Sequence, residues 1–176
     1  MPDSHTVAVL GGGSFGTVIA NIVATNGNRV SLWLRNWERA EGINQHRENR
    51  EYLPGYRLHE YLTATTALEE ALEGIDILFV AVPSKSFRDV VREVAQHVPA
   101  ATLVVSLTKG IEAGGFRLMS QILSEEMPAN PRAVLSGPTL ASEIAAGQVT
   151  GAVIARELPS INATIHDLLR RESFRI

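Results

Sequence analysis

Residues Val7-Ala8-Val9-Leu10-Gly11-Gly12-Gly13-Ser14-Phe15-Gly16-Thr17 run an apolar, strand-like segment straight into G-x-G-x-x-G, and a helical pattern follows at once. In a strand–turn–helix unit, Gly11 lets the chain leave the strand sharply, Gly13 leaves room for a pyrophosphate against the backbone, and Gly16 lets the helix press on the sheet. The helix start then offers unpaired N–H groups and the positive end of its dipole to an anion. The alternative reading is a tight structural turn with no ligand, since the chain holds 14 glycines. Which reading holds depends on what the other strand ends carry.

Apolar runs of strand length alternate with segments of helical period along the whole chain. That pattern predicts an α/β fold of the Rossmann type, a doubly wound, mostly parallel sheet with helices on both faces. At 176 residues with 45% hydrophobic content, one dinucleotide-binding domain over residues 1–176 is the expectation. The first helix carries Phe15, Val18, Ile19, Ile22 and Val23 and closes at Asn26-Gly27. Strands are expected at Val30–Leu34, Leu62–Thr65, Ile75–Val82, Thr102–Ser106, Ala133–Ser136 and Ala152–Ala155. The first of these is followed by a polar helix and a long connection through residues 45–55, of a length more often functional than accidental. Thr66 and Glu69 read as a capping box for a short helix. Later helices present Phe87, Val90, Val91 and Val94, then Phe116, Met119, Ile122 and Leu123 up to Pro128. A helix containing Glu143 follows Gly137-Pro138-Thr139, another runs from about Pro159 to Arg171, and Phe174-Arg175-Ile176 resembles the start of a further strand.

In an open parallel sheet, ligands bind outside the carboxyl ends of the strands. The segments there are Gly11 to Gly16, Arg35, Val82-Pro83-Ser84, Lys109-Gly110 and Gly137-Pro138-Thr139. An NAD-preferring site places an acid about 20 residues past the glycines to meet the ribose 2′-hydroxyl. Here that position holds Arg35, and the nearest acid is Glu38. Arg35 therefore predicts that NADP is accepted alongside NAD, its alternative being an exposed surface arginine. Only two lysines occur, Lys85 and Lys109, and both fall in these loops. A compact ammonium there suits a phosphate or a carbonyl oxygen, or is simply a solvated loop cation.

Other chemistries lack their residues. The net charge of −3 and scattered basic residues speak against nucleic acid, and no apolar run approaches the ~20 residues of a membrane span. No cysteine is present, which removes disulfides, thiolate metal sites and a cysteine nucleophile. His5, His46, His59, His97 and His166 lack metal-ligand spacing and read as structural or surface residues. There is no G-x-S-x-G elbow. The polar start, Met1 to Thr6, leads directly into a strand, so no signal peptide and a cytoplasmic location are expected.

Taken in order, the Gly11–Thr17 turn, Tyr52-Leu53-Pro54-Gly55, Val82-Pro83-Ser84, Ser106-Leu107-Thr108-Lys109-Gly110-Ile111-Glu112 and Ser136-Gly137-Pro138-Thr139-Leu140-Ala141-Ser142-Glu143 resemble the bacterial NAD(P)-dependent glycerol-3-phosphate dehydrogenases. The resemblance covers essentially the whole chain. It implies hydride transfer between NAD(P)H and dihydroxyacetone phosphate to give sn-glycerol 3-phosphate, for phospholipid synthesis. By similarity Ser14, Phe15, Arg35, Lys109 and Ala141 contact the cofactor, while Lys109, Gly137 and Thr139 touch the substrate. Members of that family continue into a helical domain that carries the principal acid/base lysine, and they form homodimers. The 176 residues therefore read as the cofactor-binding half, inactive alone. Other reductases of small keto substrates and a non-catalytic nucleotide-binding module remain the alternatives.

Overall fold

The computed structural model describes residues 4–156, 159 and 161–176. In chain order its first elements are β1 (Thr6–Leu10), α1 (Ser14–Thr25), β2 (Arg29–Trp33), α2 (Trp37–His46), β3 (Leu62–Thr65), α3 (Leu68–Leu72), β4 (Ile77–Val80) and α4 (Ser84–Ala95). There follow β5 (Leu103–Ser106), α5 (Met119–Glu126), β6 (Arg132–Ser136), α6 (Ala141–Ala145), β7 (Thr150–Gly151), β8 (Val153–Arg156), α7 (Ile161–Leu169) and β9 (Phe174–Arg175). Seven strands form one sheet in the order β3-β2-β1-β4-β5-β6-β8. The first six are parallel, and β8 runs antiparallel along β6. The order reverses between β1 and β4, which is the switch point where such sheets open a crevice.

The apolar strands are apolar because both faces are covered. β4 and β5 are buried at every residue, so neither can afford the polar alternation of a half-exposed strand. Along β1, Val7 and Val9 point into a core shared with α1, α2 and α7, whereas Ala8 and Leu10 point into a second core shared with α3, α4 and α5. Leu78 and Phe79, adjacent and fully buried, divide in the same way between the two cores. Each such side chain is worth roughly 1.5–3 kcal/mol of transfer. At the far end of α1, the Asn26 side chain donates to Leu168 O at 2.9 Å and Arg170 O at 3.1 Å. The residue that stops α1 thus also ties down the end of α7.

Three local expectations shift. The capping box at Thr66 and Glu69 does not form; α3 has Ala67 at its cap, and Thr65 Oγ1 accepts the Ala67 N–H at 3.1 Å and donates to Glu70 at 2.9 Å. A threonine–glutamate pair still braces the turn, but Thr65 at the end of β3 binds the cap residue's own N–H and the Glu70 carboxylate, so no capping box results. Phe116, placed by period on a buried helix face, is 81% exposed, with φ of 52°. Residues 112–117 instead close a turn in which Glu112 N–H donates to Arg117 O, beside an Ile111–Leu118 bridge, and α5 begins only at Met119. The last strand forms, but β9 pairs in parallel with β7 and stays out of the main sheet. Met1–Asp3 of the expected leader-free start and Ser160 of the expected last helix lie outside the described residues.

Candidate functional site

The three motif glycines have three different surroundings. Gly11 turns at φ +116°, and a Cβ there would run into the Ala81 carbonyl of the chain leaving β4. At Gly16 a Cβ would meet the Gly11 carbonyl, so α1 sits backbone-to-backbone on the turn. Both positions are closed by main chain, which cannot yield. Gly13 is the opposite case, since a Cβ built there finds no heavy atom within 4 Å. Gly13 has no side chain to cap α1, and the first turn holds no acid. The first bond closing the helix is Thr17 N–H to Gly13 O at 2.9 Å. The amides of Ser14, Phe15 and Gly16 are thus left without intrahelical acceptors, as at any helix start. An open backbone surface beside an uncapped, acid-free helix start is what a diphosphate requires.

The long connection after α2 is stitched to this turn. Asn49, 1% exposed, donates its amide to Gly12 O at 2.9 Å and to Thr17 Oγ1 at 2.8 Å. Ser14 donates its hydroxyl to Tyr52 O at 2.7 Å. Asn21 spans the next stretch, donating to Arg57 O at 3.1 Å and accepting from His59 N–H at 2.7 Å. Tyr52 is thereby delivered to the wall of a cleft of about 540 Å³ that opens along the carboxyl ends of β1, β2, β4 and β5.

Four cations line that cleft, Arg35, Arg39, Lys85 and Lys109, and among the described residues no aspartate or glutamate does. In a chain of net charge −3, this segregation makes a local positive field. The Lys109 ammonium donates to Gly137 O at 2.7 Å and lies 3.5 Å from Thr139 Oγ1, joining the loop after β5 to the turn after β6. Gly110, at φ +141°, lets that loop lie against Ser84, where a Cβ would come within 2.8 Å. Three residues past Lys109, Glu112 is gripped by Arg88 on α4 through the Nε–Nη2 edge of its guanidinium, and Arg88 also reaches Glu125 at 2.7 Å and Glu126 at 2.6 Å on α5. The hydrogen bond from Arg88 holds the Glu112 carboxyl below its usual range; Arg92 and then Arg88 do the same for Glu126.

Of the residues singled out in the sequence, Gly11, Gly13, Phe15, Arg35 and Lys109 line the cleft together. Gly137 and Thr139 stand one hydrogen bond away, through Lys109. Gly16, buried against the turn, and half-exposed Ser14 are not among the lining residues; Ser14 spends its hydroxyl on Tyr52 O. Ala141, half-buried at the start of α6, packs against the core and is not among the lining residues. Sequence reasoning missed Arg39 and Asn49. Arg39 carried one readable signal, its place three residues after Asn36, which caps α2 by accepting the Arg39 N–H at 2.7 Å. Nothing local marks Asn49, whose partners lie 32 and 37 residues away.

Residues 6–161 match the family model described as NAD-dependent glycerol-3-phosphate dehydrogenase N-terminus. The chain belongs to that family. Two relatives named glycerol-3-phosphate dehydrogenase [NAD(P)+], from Saccharophagus degradans and Teredinibacter turnerae, are each 49% identical over all 176 residues. Those matches cover 49% and 52% of the relatives' own lengths, so the chain spans about half of the curated relatives it matches. The crystal structure of a glycerol-3-phosphate dehydrogenase from Coxiella burnetii superposes with a TM-score of 0.92 at 32% identity, over 98% of this chain and 53% of that one. Among the described residues, no helix is long and apolar enough to cross a membrane.

Proposed function

We propose that residues 1–176 are the dinucleotide-binding domain of an NAD(P)-dependent glycerol-3-phosphate dehydrogenase, and that the longer enzyme interconverts dihydroxyacetone phosphate and sn-glycerol 3-phosphate. The observation that carries this reading is the cleft, in which open backbone at Gly13, an uncapped α1 and four cations face one space without a carboxylate. Gly11 and Gly16 shape the turn, Gly13 and the first amides of α1 take the pyrophosphate, and Phe15 covers it. Arg35, exposed at the end of β2, is the partner for the adenosine ribose or its 2′-phosphate. The resemblance assigns Ser14 to contact with the cofactor and Ala141 to its surroundings; with its hydroxyl on Tyr52 O, Ser14 has its main-chain amide to offer.

When bound, the reduced nicotinamide supplies a hydride to the carbonyl carbon of the substrate. Negative charge then develops on the carbonyl oxygen, and a fixed cation beside it lowers the barrier. Lys109 is the cation this domain offers, and its hydrogen bonds to Gly137 O and Thr139 hold the ammonium at the cleft's edge. Gly137 and Thr139 form the adjoining edge of the substrate site. The proton for the oxygen comes from the helical domain that the resemblance implies, so this chain binds cofactor and does not turn over. Homodimer formation, a cytoplasmic setting and a place in phospholipid synthesis are parts of the same proposal.

The test is calorimetric titration of the 176-residue chain with NADPH and NADH, followed by addition of dihydroxyacetone phosphate. Micromolar-range or weaker cofactor binding with no oxidation of NADPH is expected. Binding of neither cofactor would refute the cofactor role, and measurable oxidation on adding substrate would refute the division of labour.

A further inference from the structure

A second guanidinium lines the same cleft as Arg35. Arg39, in the first turn of α2, sets its guanidinium carbon over the Tyr52 ring, 4.6 Å from the ring centroid. Its Nε donates to Glu51 Oε2 at 2.8 Å, and its Nη2 lies 2.6 Å from the same oxygen. Two of its five N–H donors thus meet one carboxylate oxygen. The Arg39 side chain is 23% exposed and Glu51 57% exposed. A pair that open to water is weak, worth about 1 kcal/mol or less, and readily exchanged. Glu51 lies outside the cleft lining, whereas Arg39 lies in it.

Those facts describe an arginine stacked and oriented in advance, its fork occupied by a carboxylate that an incoming anion can displace. A phosphate monoester matches the same fork with more charge and more acceptor oxygens. Resting on the cofactor reading above, we propose that Arg39 and Arg35 together grip the 2′-phosphate of NADP(H), and that Glu51 is the exchangeable counter-ion that sets how far NADP(H) is favoured over NAD(H). Tyr52, held by Ser14 and carried on the connection pinned by Asn49, keeps Arg39 at that station. With NAD(H) bound, Arg39 stays on Glu51 and contributes nothing to affinity. With NADP(H) bound, it leaves one anion for another.

Titration of the wild-type chain and three variants with NADPH and NADH decides the matter, with 2′,5′-ADP against ADP as probes that isolate the extra phosphate. Arg39→Met keeps the stem on Tyr52 and is expected to weaken NADPH and 2′,5′-ADP about tenfold, a factor equivalent to 1.4 kcal/mol, while NADH and ADP change less than twofold. Glu51→Gln is expected to tighten NADPH severalfold and leave NADH alone. Arg39→Lys, which keeps charge but loses the fork, recovers only part of the loss. Equal weakening of both cofactors by Arg39→Met makes Arg39 a platform for the shared adenosine and overturns the proposal, as does no weakening at all. Weaker NADPH binding by Glu51→Gln also overturns it, and this arm decides alone if Arg39→Met does not fold. A wild-type chain that binds none of the four ligands refutes the cofactor reading itself, a result distinct from wild-type binding with insensitive variants.

Discussion

Adding one methyl group to Gly13 or to Gly16 produces opposite signatures if the glycine turn is built as described. Gly13 has φ −78° and ψ −179°, which any L-residue adopts, and a Cβ there meets no heavy atom within 4 Å. Gly13→Ala gains about 0.4–1 kcal/mol by restricting the unfolded chain. It loses roughly 0.5–1 kcal/mol because alanine is a poor N-cap. The two effects cancel, and the thermal midpoint moves less than about 2 °C, at the ~2–4 °C per kcal/mol of a domain this size. Gly16→Ala gains about 0.5–1 kcal/mol of helix propensity. Against that, its methyl collides with the Gly11 carbonyl and crowds Ala81, with a contact of 3.1 Å to the Ala81 Cβ. Overpacking against rigid main chain costs about 3 kcal/mol, the upper part of the usual range. The net loss of about 2 kcal/mol lowers the midpoint by about 4–8 °C. In binding the order reverses in kind. The Gly13 methyl occupies the space a pyrophosphate needs, removing at least one charge-assisted hydrogen bond of about 1.5–3 kcal/mol, so NADPH and NADH both weaken tenfold or more in a protein of unchanged stability. Differential scanning calorimetry and titration on the same samples read both quantities. Wild-type affinity in Gly13→Ala, or equal loss of stability in the two variants, would refute the assignment of an open position and a packed one.

Asn49→Ala strips two hydrogen bonds from a site that is 1% exposed and leaves a void; we expect about 2–3 kcal/mol of destabilisation by denaturant titration, together with weaker cofactor binding as the Gly12 carbonyl is released. Lys109→Met is expected to weaken NADPH and NADH by the same factor, since the part of the dinucleotide near Lys109 is common to both, and to speed amide exchange at Thr139, which donates to Gly137 O at 2.8 Å. Glu112 and Glu126 have folded-state pKa values below the ordinary 4.5, so the unfolded chain binds more protons in acid. Their contribution is complete above the ordinary carboxylate range and is lost as pH falls from about 4.5 toward the depressed values. Arg88→Met removes the main partner of Glu112, while Arg92 still holds Glu126 at 2.8 Å and Arg117 holds Glu125 at 3.0 Å, so its midpoint falls most near neutrality and the difference from wild type narrows as pH falls through that range.

Much of this architecture is local and therefore readable. Buried strands such as β4 and β5 announce themselves as unbroken apolar runs, and the Gly11–Gly16 spacing encodes three steric demands that depend on a single strand–turn–helix unit. Phe116 shows where period misleads: Gly114 at φ +82° and the Ile111–Leu118 bridge convert an apparently helical register into a turn. Arg39 shows the other limit. Its partners Glu51 and Tyr52 lie 12 and 13 positions on, in a connection whose path is set by Asn49 and Ser14 reaching back to the glycine turn.

By itself, the amino-acid sequence determined the fold class, the glycine turn, the arginine at the end of β2 and the lysine after β5, because each follows from neighbours along the chain or from the rule that parallel strands end on one edge. Only the tertiary structure decided that four cations face one cleft without a carboxylate, that Ser14 and Asn49 pin the loop bearing Tyr52, and that β9 pairs with β7. Those outcomes depend on through-space distances between residues tens of positions apart, which side-chain packing sets and periodicity does not record.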